Sequence, residues 1–186
     1  MTNLPKLVII SGPPGAGKTT LARPLAQALG LPLLAKDAIK EQYADALGNA
    51  AIAISGRLGL AAHLQMIATA HELLVHKRSV ILESFFHKGL AEPDIKPLIA
   101  MANPVLIHIT ADHPILISRY ERRMADPDRH AIHNDGNRVG DLRHYLAEGV
   151  ADILDLDIPK IVIDTTFGPI DADEVAMIVR GLPGDR

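Results

Sequence analysis

No cysteine occurs in the 186 residues, which excludes disulfides, thiolate catalysis and cysteine-based zinc sites. Tryptophan is also absent, and aromatic residues make up only 3% of the chain. Proteins that grip single-stranded nucleic acid need rings on which bases stack, so a dedicated nucleic-acid binder is disfavoured. Charge points the same way. With 19 basic and 22 acidic residues the formal net charge is −3, and no broad basic field is available for a phosphate backbone. No apolar run reaches about 18 residues, so no membrane-spanning helix is expected. The start, Met1-Thr2-Asn3-Leu4-Pro5-Lys6, lacks the charged region, apolar region and small-residue cleavage site of a signal peptide. A cytoplasmic protein without a membrane partner is the expectation.

The chain does contain enough apolar residues, 48% of the total, to fill a core in one domain spanning residues 1–186. Short β-branched runs alternate with longer helical stretches. Strands are expected at 6–11, 31–35, 79–83, 104–110 and 160–164. Helices are expected at 18–29, 37–47, 56–77, 89–101, 113–124, 139–153 and 171–180, the fourth interrupted near Pro93 and Pro97. In the long helix at 56–77, Leu60, Leu64, Ile67, His71 and Leu74 recur at helical spacing, and Leu64 and Met66 are core candidates. Strands separated by helices predict an α/β fold in three layers, with a five-stranded parallel sheet between two helical layers. The one long irregular segment lies around 125–138, a candidate lid.

One motif is complete. Gly12-Pro13-Pro14-Gly15-Ala16-Gly17-Lys18-Thr19 matches the phosphate-binding loop, between a strand and a helix as the motif requires. Glycines let the backbone approach phosphate oxygens closely. The loop N–H groups and the helix N-terminus then face the anion. Lys18 would reach the β- and γ-phosphates, Thr19 would offer its hydroxyl to Mg²⁺, and Thr20 follows as a neighbour.

Ligands of open parallel sheets bind outside the carboxyl ends of the strands, and two carboxylates fall there. Asp37 follows the second strand and Glu83 ends the third. Asp37 is the candidate general base, although an aspartate there also serves as a helix cap. Glu83 is the candidate for positioning substrate or metal, because a buried acid needs a partner. Arg119 and Arg123 share a helical face, and Arg129 follows in the candidate lid. Arginines so placed can stabilise a transferring phosphoryl group. The nine histidines show no zinc-protease spacing and read as satisfied or solvated side chains.

The phosphate loop, Lys36-Asp37-Ala38-Ile39-Lys40, Ile81-Leu82-Glu83 and Arg119-Tyr120-Glu121 occur in that order. Together they resemble the small P-loop kinases of the AAA_33-type group, which is similar to zeta-toxin kinases, chloramphenicol phosphotransferase-like enzymes and the kinase domain of polynucleotide kinases. The resemblance covers nearly the whole chain. It implies a nucleoside-kinase-like P-loop fold, ATP and Mg²⁺ as cofactors, and transfer of the γ-phosphate to a hydroxyl. It implies Asp37 as the base, Glu83 as the acidic strand end, and Arg119, Arg123 and Arg129 as the arginines after the fourth strand. Asp164-Thr165-Thr166 resembles the Asp-Thr-Thr near which the base of ATP packs.

There are departures from related families. Ala35 removes the Asp-x-Asp of shikimate kinases, no zeta-toxin extension is present, and the acidic strand of ring ATPases is missing. The expected acceptor is a small molecule, held by the region from 39 to 64, which begins beside Asp37 and Lys40, and by Glu83, Phe85 and Phe86. The rival readings are a polynucleotide 5′-hydroxyl kinase and a non-catalytic ATP-dependent switch.

Overall fold

The computed structural model describes residues 4–133 and 139–182. Positions 134–138 of the expected lid lie outside the described residues. Five strands form one parallel sheet: β1 (Lys6–Ser11), β2 (Leu33–Ala35), β3 (Val80–Glu83), β4 (Asn103–Thr110) and β5 (Lys160–Asp164), in the order β2-β3-β1-β4-β5. The helices are α1 (Lys18–Leu29), α2 (Lys36–Leu47), α3 (Ala50–Ala53), α4 (Ser55–Val75), α5 (Glu92–Ile99), α6 (His113–Met124), α7 (Val139–Ala147) and α8 (Ala172–Gly181), with a 3₁₀ turn at Ala131–His133.

The period of two along the central strands builds the layers. Leu7 and Ile9 of β1 face one side and join Val80, Leu82, Met66, Leu74, Ile95 and Leu98. Val8 and Ile10 face the other and join Ile81, Ile107, Leu21, Leu25, Leu116 and Val175. Strands buried on both faces explain the continuous apolar runs of β1 and β4. Strand β5 at the edge alternates half-buried and exposed residues instead.

Several boundaries differ from the expectation. The stretch between α2 and α4 forms the short α3. Helix α5 begins only at Glu92, with Pro93 in its first turn, where a missing N–H costs nothing. Helix α7 stops at Ala147 rather than running to 153. Gly149 takes a left-handed φ of 69° and turns the chain, and the Val150 carbonyl accepts from Lys88 N at 3.0 Å.

The inner face of α4 also differs. Its buried residues are Ser55 and then Leu58, Ala62, Met66, Ala70 and Leu74, the last five at four-residue spacing. Leu64, expected in the core, is 56% exposed, whereas Met66 is fully buried. Leu60, at 60%, is exposed with Leu64. Among the described residues α4 is the one helix long and apolar enough to cross a bilayer by length and composition. Its buried stripe is that of a core helix.

Candidate functional site

Parallel register gathers the chemistry at one edge of the sheet. Glu83 pairs with Ile10 of β1 on one side and with Ala35 of β2 on the other. The exits of the three strands, carrying the phosphate loop, Asp37 and Glu83, therefore stand side by side. Short connections keep them there: Lys18 opens α1, and Asp37 lies in the first turn of α2.

The loop geometry needs glycine at two positions. Gly12 has φ 138°, and a Cβ there would lie 2.0 Å from the Ile109 carbonyl oxygen. Gly15 has φ 85°, and a Cβ there would lie 2.7 Å from the Leu116 carbonyl oxygen. Both values are incompatible with a side chain. Helix α1 starts without a side-chain cap, so its first N–H groups stay available to an anion. Pro13 gives its carbonyl to Lys18 Nζ at 2.9 Å, and Pro14 lines the cavity that contains Asp37.

Lys18 is the electrostatic centre. Burial lowers its pKa to about 8, although Glu83 and Asp37 pull the other way; Arg123 and Lys36 add to the lowering. Burial pushes the Asp37 carboxyl up, but Lys36, His133, Lys18 and Arg123 together hold it below the ordinary carboxylate range. Part of Asp37 is open to the cavity, so a carboxylate faces that space. Glu83 is 5% exposed. Burial raises its pKa, Asp37 adds to the rise, and Lys18, the Thr19 hydroxyl and Arg123 oppose it. Thr19 Oγ1 donates to Glu83 Oε2 at 3.4 Å. A hydroxyl beside a buried carboxylate at a phosphate loop fits Mg²⁺, which takes one or two protein oxygens and completes its shell with phosphate and water.

Two cavities open at this edge. The first, about 660 Å³, is lined by Lys18, Lys36, Asp37, Lys40, Arg123 and Arg129, and by groups of α4, α7 and the segment after β3. The second, about 530 Å³, is lined by residues 15–21, Arg119, Arg122, Arg123, Asp126, Thr165 and residues 168–170. Lys18 and Arg123 line both. Thr19 and Thr20 face only the second, with Gly15, Ala16 and Gly17.

The arginines separate by role. Arg123 stands at the junction and Arg129 on the first cavity alone. Arg119 faces the second and is committed elsewhere: Nη1 donates to Thr165 Oγ1 at 2.8 Å and Nη2 to the Thr165 carbonyl at 2.7 Å. The Thr165 hydroxyl lies 3.1 Å from the Ala16 carbonyl oxygen and 3.0 Å from that of Thr110. Thr165 thus ties β4, the turn after β5 and the phosphate loop together. Asp164 and Thr166 line neither cavity; the Asp164 carboxylate accepts from Thr166 N at 2.8 Å and from Thr166 Oγ1 at 2.5 Å.

Lys40 is buried and donates to Ser55 Oγ at 2.8 Å and to the Ile132 carbonyl at 3.3 Å. Ser55 Oγ reaches the same carbonyl at 2.8 Å. His133 pairs with Glu41 at 2.6 Å, and His130 with Asp45 at 3.1 Å. The segment at 130–133 is therefore pinned on α2. Phe86 packs in the core, 2% exposed. Phe85 meets His87 and Tyr145 in a ring cluster, and lies 5.9 Å from Lys18 Nζ. The region at 39–64 and the segment after Glu83, both expected to hold the acceptor, contribute Gly56, Gly59, His63, Ser84 and His87 to the cavity; Asp141, Leu142 and Tyr145 of α7 were not expected there. Only Tyr145, one of three tyrosines, carried any signal.

Comparison with known proteins identifies the family and the fold. The family model AAA_33, described as an AAA domain, matches residues 7–148. The shikimate kinase of Actinobacillus pleuropneumoniae is 26% identical over 151 residues, which span 78% of this chain and 83% of that enzyme. The crystal structure of a protein from Chloroflexus aurantiacus, classed there as a kinase without a proven activity, superposes with a TM-score of 0.84. It is 36% identical, over 95% of this chain and 97% of its own. A sugar kinase from a Janibacter species shares the fold, with a TM-score of 0.62 and 19% identity over 97% of this chain and 96% of its own.

Proposed function

The chain belongs to the AAA_33 family, and from that premise we propose that it is an ATP-dependent kinase that moves the γ-phosphoryl group of ATP to a hydroxyl of a small molecule. One observation carries this reading. Two cavities meet at Lys18 and Arg123, as a donor and an acceptor chamber must meet where the phosphoryl group crosses. A switch that only binds nucleotide has no need of the second chamber. The kinase relatives named for shikimate and for a sugar support a small hydroxyl acceptor. Ala35 stands where shikimate kinases carry the first acid of Asp-x-Asp, which argues against shikimate itself.

In this reading the loop N–H groups, Lys18 and the start of α1 hold the phosphates of ATP. Thr19 and Glu83 would hold Mg²⁺, which would neutralise charge on the phosphates. Asp37 accepts the proton of the acceptor hydroxyl. The acceptor oxygen forms the new bond to the γ-phosphorus as the bond to the β–γ bridging oxygen breaks, and ADP leaves with that electron pair. Arg123 and Lys18 face the phosphoryl oxygens as charge spreads over them. Arg119 positions the wall of the donor chamber through Thr165 rather than touching the transferring group. An enzyme that spends ATP fits the cytoplasm.

The reading is tested by following ADP release against a library of sugars, nucleosides and other hydroxyl compounds. Stimulation by one or more compounds, with phosphate recovered on the acceptor, is expected. Slow hydrolysis unaffected by every compound, with a partner bound only in the ATP state, would favour the switch. Labelling of a 5′-hydroxyl oligonucleotide would favour the polynucleotide kinase.

A further inference from the structure

The cavity that holds Asp37 has two unlike walls. Its cations and Asp37 come from α1, α2, α6 and the turn after α6: Lys18, Lys36, Lys40, Arg123 and Arg129. The other wall comes from α4, the segment after β3, and α7, and the two meet where Lys40 Nζ donates to Ser55 Oγ at 2.8 Å and where Lys18 Nζ lies 5.9 Å from the Phe85 ring. Leu60, Phe85, Phe86, Leu90, Leu142 and Tyr145 make its apolar part. That wall supplies no lysine or arginine among the described residues. Its carboxylates are Asp94, held by His63 at 2.8 Å, and Asp141.

Three further observations describe this wall. Phe85, His87 and Tyr145 form a ring cluster, with centroids 4.4, 5.6 and 5.0 Å apart pairwise. Burial, with Lys36 adding to it, lowers the pKa of His87, which favours its neutral ring. Leu60 and Leu90 are 60% and 72% exposed, though both line the cavity. Single exposed leucines are ordinary, but these two rim one opening that continues into the ring cluster. Finally, a Cβ built on Gly56 or Gly59 of α4 meets nothing within 4 Å. Glycine weakens a helix, and here it leaves open space beside the same wall.

Resting on the kinase reading, we propose that this wall receives an apolar ring or chain of the acceptor. The acceptor is then an alcohol with an apolar body. A bare polyol or a polyol acid would leave the leucines and rings wet and forgo their burial.

The test compares kcat/KM, with ATP and Mg²⁺, across three sets of acceptors: shikimate and gluconate; glucose and myo-inositol; 2-phenylethanol and phenyl β-glucoside. The third set is expected to exceed the others by about tenfold or more, the scale that apolar contacts in a pocket supply. Gly59→Leu, which fills the open space, is expected to lower that advantage by a similar factor and to leave ATP affinity unchanged. Leu60→Asn and Leu90→Asn, at exposed positions that do not threaten folding, are expected to narrow it as well. Higher kcat/KM for an acid or a bare polyol overturns the proposal and leaves the kinase reading standing. So does an advantage that survives all three substitutions. Phosphorylation of none of the six, while ATP still binds, overturns the proposal. If the wider library also yields no acceptor, the kinase reading falls with it.

Discussion

Lys18 loses charge more readily than a solvated lysine, because protein atoms surround it and no phosphate yet balances it. Its pKa of about 8 means that it is mostly protonated at pH 7 and mostly neutral above pH 9. A bound polyphosphate favours the charged form, so ATP binding should raise this pKa and take up a proton. ATP affinity is therefore expected to hold below pH 8 and to fall above it, by up to about tenfold per pH unit while the bound-state pKa stays higher. Calorimetry in buffers of different ionisation enthalpy would detect the proton uptake. A flat affinity from pH 7 to 9.5 without proton uptake would contradict it.

The arginines allow a sharper division at the same scale. Arg123→Ala is expected to lower kcat by on the order of 10³ with little change in ATP affinity, because its charge serves the transferring group. Arg119→Ala is expected to act on ATP affinity and thermal stability, since it releases Thr165 from two hydrogen bonds. Steady-state kinetics with nucleotide titrations would separate the two. In the sequence these residues were alike, arginines on one helix four apart. Only the fold reveals that one faces Thr165 and the other both cavities.

The phosphate loop was legible because its spacing and its place between strand and helix state the backbone geometry outright. Gly12→Ala drives a Cβ into the Ile109 carbonyl. It is expected to cost about 3 kcal/mol, combining backbone strain with overpacking, which corresponds to a Tm drop of roughly 6–12 °C for a chain of this size. Thermal unfolding followed by circular dichroism would measure it. The segment at 130–133 was legible only as an irregular stretch. Its contacts reach back 77 to 92 residues, to Lys40, Glu41 and Asp45 of α2 and to Ser55 at the start of α4, and no local pattern encodes such pairings. His133→Ala is expected to raise acceptor KM several-fold and to expose 130–133 to proteolysis, with ATP affinity retained. In helix α4 the expected Met66 and Leu74 are buried, but Leu60 and Leu64 are exposed, and Leu58, Ala62 and Ala70 complete the inner face instead.

At the scale of the whole molecule, alternation of strands and helices was enough to give five parallel strands between two helical layers. A parallel sheet admits few connections, and each must cross a helix. The edge at which Asp37, Glu83 and the phosphate loop meet followed from that topology. The first cavity followed only in part: the stretch at 39–64 and the segment after β3 were expected to line it, but the wall from α7, with Asp141, Leu142 and Tyr145, was not, because it lies far from them in the chain. The phosphate loop could be read from eight consecutive residues, while that wall needed the fold.

The central claim is that this edge transfers phosphate from ATP to a hydroxyl, with Asp37 taking the proton. Single-turnover transfer of labelled γ-phosphate to the best acceptor, wild type against Asp37→Asn, addresses it most directly. The variant is expected to bind ATP as well as or better than wild type, since a carboxylate near the phosphates is gone. Transfer is expected to fall by about 100-fold or more, the usual scale of a lost general base. Transfer at the wild-type rate by Asp37→Asn would contradict it.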